Sequence, residues 1–501
     1  MTGNHAVVIG SGFAGLSAAT HLAAGGYKVT LVEKNANPGG RARKFEHEGF
    51  VFDMGPSWYW MPDVFEKYFA AFGKKPSDYY DLIRLDPSYA VVFGENEVWE
   101  IPANLEEFKK MLENIEPGAG VQLDEFLQQA AYKYQVGIHD LVTKPSRSLF
   151  EFTSPSLLKD ILRMDVFQSM SKHVRKFFKS EKIIRLMEFP VLFLGETAEN
   201  IPALYSLMNY ADIALGTWYP KKGMHEIIQA MVSLAEEKGV RIQYEAEVEE
   251  IEIDNAQATG VRLINGERIP ADVVVAGADY HHVDKHLVNP NYSNYSEEYW
   301  DKRVLAPSCL LFYLGVDKKL ENLNHHNLFF DEPLEPHADA IYKHPRWPEK
   351  PLFYACVPSL TDSTVAPKGK ENLFLLIPLA PDLEDSEETR EKYYQMIMDR
   401  LEHHSKQEIR SHVVYKRSYA HSDFKSDYHA FKGNAYGLAN TLLQTAILKP
   451  SLKNKKVSNL YYTGQLTVPG PGVPPSLISG QVVANEVMKE FSKKFDKTLT
   501  Q

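Results

Sequence analysis

Residues 6–9, AVVI, form a short unbroken apolar run, and residues 14–24, AGLSAATHLAA, are alanine-rich with no acidic or Lys/Arg position. Residues 27–32, YKVTLV, are apolar and β-branched again. This succession predicts a buried strand, a helix and a second strand, the opening of a doubly wound nucleotide-binding domain. From about 124 to 235 the pattern is largely helical and poor in glycine. Short β-rich segments follow, with turns at Asp254-Asn255 and Asn265-Gly266. A strand over 272–275 then runs into Ala276-Gly277-Ala278-Asp279, which reads as another strand of the nucleotide domain reached after an insertion. Mixed segments occupy about 300–430. A phrase crowded with glycine and proline, YYTGQLTVPGPGVPPSLISGQVVANEV, fills 461–487, and a last helix is expected over roughly 480–491. No internal repeat or low-complexity tract interrupts the chain.

Two chain regions carry the chemistry of a dinucleotide site. Gly10, Gly12 and Gly15 form GxGxxG directly between the first strand and the first helix. The first glycine permits the tight turn, the second lets a pyrophosphate approach the backbone, and the third lets helix pack on strand. The helix N-terminus offers free N–H groups to phosphate. Glu33 ends the second strand, where a carboxylate accepts both ribose hydroxyls and disfavours a 2′-phosphate. Further on, Gly39 and Gly40 precede Arg41, a partner for pyrophosphate charge, and Asp53-Met54-Gly55-Pro56 follows.

The 501 residues exceed one core, so two or three substructures are expected. A formal net charge of -11 argues against a general nucleic-acid binder. Against that background residues 159–185, KDILRMDVFQSMSKHVRKFFKSEKIIR, are locally basic and amphipathic, and read either as a solvated helix face or as a surface lying on anionic lipid. The apolar run 304–316 is too short to cross a bilayer. With a βαβ pattern starting at His5, the expectation is a cytoplasmic protein, soluble or held peripherally at the inner face of the cell membrane. Cys309 and Cys356 suggest no disulfide framework. The pairs His281-His282, His325-His326 and His403-His404 match no zinc spacing, so no metal site is expected. Ser57, Trp58, Tyr59 and Trp60 read as channel wall or interface anchor. Ser476 lacks a nucleophile-elbow setting.

Four stretches carry a resemblance to a known family: residues 7–62, GTWYPKKGMHEIIQAMVSLAEEKGV from Gly216, ADVVVAGAD over 271–279, and the closing GQLTVPGPGVPPSLISGQVVANEV. Together they resemble the bacterial phytoene desaturases and carotenoid desaturases, within the flavin amine-oxidase-like superfamily. The GxGxxG portion is common to many flavoproteins; the closing phrase is the more specific. The resemblance implies an α/β fold: a Rossmann-like FAD-binding domain assembled from residues 1–75, 236–300 and 431–501. A discontinuous mixed α+β substrate domain would comprise 76–235, including the helical membrane-associating region, and 301–430. It implies FAD held by Gly10, Gly12, Gly15, Glu33, Gly40, Arg41, Val248, Asp279, Gly464, Gln465, Gly472, Val473, Pro474 and Ser476.

The same resemblance implies FAD-dependent desaturation of a long apolar C40 polyene, with phytoene the leading substrate. Alternatives are a hydroxylated carotenoid desaturated at its 3,4 bond, a C30 diapocarotenoid, or a carotenoid isomerase. Asp160 and Arg163, three residues apart on one helical face, are the implied catalytic pair, with Asp165 as rival carboxylate; an exposed ion pair is the plainer reading. The implied partners are the carotenoid, a membrane surface and an electron acceptor, oxygen or quinone, with a homo-oligomer left open and no nucleic acid. One departure stands out: Lys222 occupies the place of a glycine in the family's usual turn.

Overall fold

Five parallel strands drawn from distant parts of the chain form one sheet in the computed structural model, which describes residues 4–94, 97–148, 151 and 163–499. Their spatial order is Leu460–Tyr462, Val273–Ala276, His5–Ile9, Lys28–Val32 and Arg241–Gln243. His5–Ile9 is central, with Val8 opposite Val275 on one side and Leu31 on the other. All three side chains are fully buried, as parallel strands covered on both faces require. Asp272 stands just before its strand because its carboxylate accepts the His5 N–H at 2.7 Å, so the strand begins at Val273.

Helices cover one face of this sheet, among them His225–Glu237 beside Phe13–Ala24. Phe13–Ala24 packs along Val473–Leu499, and the contact is close: a Cβ on Gly480 would stand 2.2 Å from the Ala14 carbonyl oxygen. The last helix is longer than the sequence pattern suggests and starts at Val473 rather than near 480. Pro474 and Pro475 fall in its first turn, where a missing N–H breaks no helical hydrogen bond.

A second sheet of seven strands supplies the opposite wall. Its order is Val413–Tyr419, Ser308–Val316, Glu371–Leu379, Phe353–Cys356, His326–Phe329, Tyr89–Gly94 and Glu97–Ile101. The apolar run near 304–316 is explained by Ser308–Val316, a nine-residue strand buried at every position between two antiparallel neighbours. One of its faces packs on the helix Glu387–Ser405 and the other on the main core. The middle of the chain is mainly helical, in short pieces, but Trp218–Pro220 interrupts it as a strand paired with Leu82–Arg84.

Candidate functional site

The carboxyl ends of the parallel strands open into one cavity of about 720 Å³. This is where open α/β sheets bind ligands, because loops diverge there and helix N-termini point inward. Thirteen of the fourteen cofactor residues expected from the sequence line it, from Gly10 to Ser476. Gly15 is the exception and acts from behind the wall. A Cβ there would lie 1.9 Å from the Gly10 carbonyl oxygen, so the helix approaches the glycine turn as only glycine allows. Gly12, by contrast, has no protein atom within 4 Å of its would-be Cβ; its backbone faces open cavity.

Glu33 is buried, and both its oxygens are engaged. Oε2 accepts from the Ser11 N–H at 2.8 Å and the Ser11 hydroxyl at 2.6 Å; Oε1 accepts from the Asn35 N–H at 2.9 Å. These bonds fix the carboxylate at the lip of the glycine turn. Arg41 follows a turn whose Gly39 N–H donates to the Ser11 carbonyl at 3.0 Å. Its guanidinium donates to the Asn434 carbonyl at 3.1 Å and lies 5.1 Å from the Tyr428 ring centre, while Nε is buried without a partner. Burial lowers its pKa and Asp279 pulls it back up; the Asp279 carboxyl is raised by burial and lowered by Arg41 in turn. Asn434, buried and not singled out from the sequence, also accepts from Gln465 Nε2 at 3.0 Å. One asparagine therefore ties the N-terminal arginine to the C-terminal loop. A guanidinium with a spare N–H, an open glycine backbone and a fixed ribose-side carboxylate fit the pyrophosphate and ribose of FAD.

Val248 lines the cavity at the start of the strand Val248–Asp254. Gly464 donates its N–H to Ser479 Oγ at 3.0 Å, and the Ser476 N–H donates to the Gly472 carbonyl at 3.0 Å, so the Gly/Pro phrase is tied into the last helix.

Beyond the nucleotide end the lining becomes apolar: Trp58, Trp60, Phe189, Leu207, Met208, Leu311, Leu328, Phe330 and Leu376. Trp58 is held by His326, stacked at 4.1 Å, whose Nδ1 meets the Tyr354 hydroxyl at 2.6 Å. Burial lowers the pKa of His325 to about 3 and of His326 well below its ordinary value, so these rings are neutral supports. The fold also sets Cys356 opposite His326, and donor atoms of His325, His326 and Cys356 lie within 4.8 Å of one another, a juxtaposition no sequence spacing announces. Of the aromatic cluster, Ser57, Trp58 and Trp60 line the cavity, while Tyr59 is buried beneath it, bonded to the Tyr80 hydroxyl at 3.0 Å.

The turn containing Lys222 forms despite the missing glycine. Lys222 takes φ +76 and Gly223 φ +111, with the Lys222 N–H on Asp362 Oδ2 at 2.6 Å. This brings Met224 and His225 N–H onto the Asp53 carboxylate at 2.7 and 3.0 Å, and burial raises that carboxyl to about 6. His225 Nδ1 in turn lies 2.8 Å from the Ala42 carbonyl, so this histidine supports the Arg41 turn from outside the cavity.

Asp160 lies outside the described residues. Arg163 is exposed and rests 5.8 Å over the Tyr132 ring, while its neighbours Met164 and Val166 line the cavity. Asp165 pairs with buried Lys133 at 3.0 Å.

Residues 13–488 match the family of flavin containing amine oxidoreductases. The chain is 39% identical, over 98% of its length and 99% of the relative's, to the carotenoid 3,4-desaturase of Haloarcula japonica. It is 33% identical to the zeta-carotene-forming phytoene desaturase of Myxococcus xanthus, over 97% of this chain and 94% of that one. Among solved structures, an oxidoreductase from Methanosarcina mazei superposes with a TM-score of 0.62 at 17% identity, covering 96% of this chain and all of that one, a likeness of fold.

Proposed function

The chain belongs to the flavin containing amine oxidoreductases and, within them, to the carotenoid desaturases, and from that membership we propose that it desaturates the 3,4 bond of a 1-hydroxylated carotenoid. It is an FAD-dependent oxidoreductase acting on a carotenoid polyene. The observation that carries the 3,4 assignment is the identity of 39%, end to end, with a carotenoid 3,4-desaturase, against 33% with a phytoene desaturase. Phytoene is the second reading, favoured by that second relative and by the apolar lobe.

Bound FAD supplies a hydride acceptor at N5, and the second hydrogen leaves as a proton. The residues of the chain do the rest by position. Glu33, Arg41 and the backbone around Gly12 would hold the nucleotide half, and Gly472–Ser476 would border the ring. Trp58, Trp60, Phe189 and Leu311 grip a chain that offers almost no polar handle, so apolar burial provides the binding. The same wall would exclude water from the reacting part of the chain.

Parallel incubation with the two substrates separates the two readings. A 1-hydroxylated carotene is expected to gain one double bond and shift its visible absorption to longer wavelength, with phytoene converted at least about tenfold more slowly. Fast conversion of phytoene with no change in the hydroxylated compound would reverse the assignment.

The substrate resides in lipid, and among the described residues no helix is long and apolar enough to cross a membrane. We propose that one face of the protein rests on the inner face of the cell membrane, where oxygen or a quinone reoxidises the flavin. Among the described residues Phe167 and Leu443 are the most exposed large apolar side chains, at 82% and 80%. Each stands beside cavity-lining residues, Met164 and Val166 for the first, Thr445 and Ala446 for the second. Lys172, Arg175, Lys176 and Lys179 are exposed on the neighbouring segment. Reversing these four charges is expected to cut recovery with anionic liposomes by about tenfold or more in flotation. Equal recovery of variant and wild type counts against the surface.

A further inference from the structure

Two neighbouring polar groups, one on the cavity wall and one behind it, each carry an atom with no partner. Asn440 and Lys449 are each 5% exposed, and Asn440 Oδ1 and Lys449 Nζ are buried without a hydrogen bond among the described residues. They converge on one place. From the position a Cβ would take on Gly470, Oδ1 is 2.8 Å away and Nζ 3.2 Å. Asn440 lines the cavity, and Gly470 lies between Pro469 and Pro471, which also line it. Gly470 has φ +134 and no side chain, which lets both groups come this close to the loop backbone.

The arrangement is rigid. The Asn440 N–H donates to the Leu194 carbonyl at 2.9 Å, and the Lys449 N–H to the Ala446 carbonyl at 3.1 Å. The Thr467 hydroxyl donates to the Pro450 carbonyl at 2.5 Å, clamping the lysine segment to the Gly/Pro loop. Burial brings the pKa of Lys449 down to about 7. A buried amine and a buried amide carbonyl left unpaired are costly, so the pair is built for something that enters the cavity.

We infer that Lys449 and Asn440 form a subsite for a hydroxyl group carried by the carotenoid near the bond being desaturated. The inference rests on the 3,4-desaturation reading and names the residues that select its substrate. A hydroxyl satisfies both groups at once: its oxygen accepts from Lys449 Nζ, and its hydrogen goes to Asn440 Oδ1. With the amide turned the other way, the same oxygen accepts from both. A hydrocarbon end does neither and leaves two buried groups unpaired. Because most of the lobe is apolar, this pair also helps decide which end of a long chain is drawn toward the Gly472–Ser476 wall. A site built to bond a hydroxyl discriminates strongly against the analogue that lacks it.

The test uses the full-length FAD-loaded enzyme with liposome-borne 1-hydroxylated carotene and the same chain without the hydroxyl. The wild type is expected to prefer the hydroxylated chain by at least about 100-fold in kcat/KM. In Lys449→Met and in Asn440→Leu the ratio is expected to fall within about tenfold, through loss on the hydroxylated substrate, while Lys449→Arg retains most of the preference. An unchanged ratio in variants that keep the flavin spectrum overturns the subsite and leaves the 3,4 reading intact. Lowered FAD affinity with an unchanged ratio also overturns it, assigning the pair to the cofactor. A wild type that converts only the unhydroxylated chain defeats the substrate reading and the subsite together. Should Lys449→Met fail to fold, Asn440→Leu against Asn440→Ser gives the same comparison.

Discussion

Gly15→Ala is expected to yield colourless protein, with FAD affinity lowered by more than about 100-fold and the apoprotein destabilised by about 1–3 kcal/mol. The added methyl would sit 1.9 Å from the Gly10 carbonyl oxygen and 3.0 Å from its carbon. The glycine turn has nowhere to retreat, since a Cβ on Gly10 itself would already be 3.3 Å from the Ala278 nitrogen. Gly277 closes the remaining side, its own Cβ position lying 3.3 Å from Gly15 Cα. The helix must therefore lift off the strand, and the N–H groups that should face pyrophosphate move with it. Gly12→Ala is the control. Its methyl meets no protein atom within 4 Å, so the apoprotein should melt as the wild type does. The space it enters is that of the cofactor, and flavin should be lost all the same. Thermal melting of apoprotein beside flavin titration separates the two effects. Tight flavin binding by Gly15→Ala would show that the helix has slack the packing denies.

Arg41→Met is expected to weaken FAD by about 30- to 100-fold, the worth of a charge-assisted contact of about 2–3 kcal/mol. The apoprotein should be little affected. Among the described residues the guanidinium makes one hydrogen bond, to the Asn434 carbonyl, and lies over the Tyr428 ring, while its Nε stays unpaired. Methionine replaces the stem and keeps the packing. Arg41→Lys should recover only part of the affinity, because an ammonium cannot present the planar fork. Fluorescence titration of FAD into each apoprotein measures this. Wild-type affinity in Arg41→Met would place the pyrophosphate charge elsewhere.

Residues with local reasons to exist are legible in the amino-acid sequence. Gly10, Gly12 and Glu33 follow from the geometry of one strand–helix–strand unit, and Gly472–Ser476 from a density of glycine and proline that resembles one family. Arg41 and Asp279 are legible as charges beside those turns. Asn434, which joins Arg41 to Gln465, is not, because its role depends on two loops far apart in sequence meeting at its backbone carbonyl and its side-chain oxygen. The pair Asn440 and Lys449 is hidden for the same reason: each looks like an ordinary loop residue until Gly470 brings the other beside it. Lys222 shows a different limit. The absent glycine suggests a lost turn, yet the N–H bonds to Asp362 and Asp53 hold it in place and compensate the left-handed backbone. The last helix is longer than its pattern implies because Pro474 and Pro475 look like breakers anywhere but in a first turn.

The parallel sheet has a consequence for how the enzyme is made. Its central strand, His5–Ile9, pairs with Lys28–Val32 from nearby sequence and with Val273–Ala276 from far away, and the edge strand Leu460–Tyr462 is the last of the sheet's five to be made. At ordinary rates of synthesis, about 5–20 residues per second, the first two strands wait on the order of half a minute or more for that edge. During that interval the apolar strands have incomplete neighbours and the flavin pocket lacks its far wall. FAD is therefore acquired only once Leu460–Tyr462 has been made, and until then the unfinished sheet is exposed to aggregation.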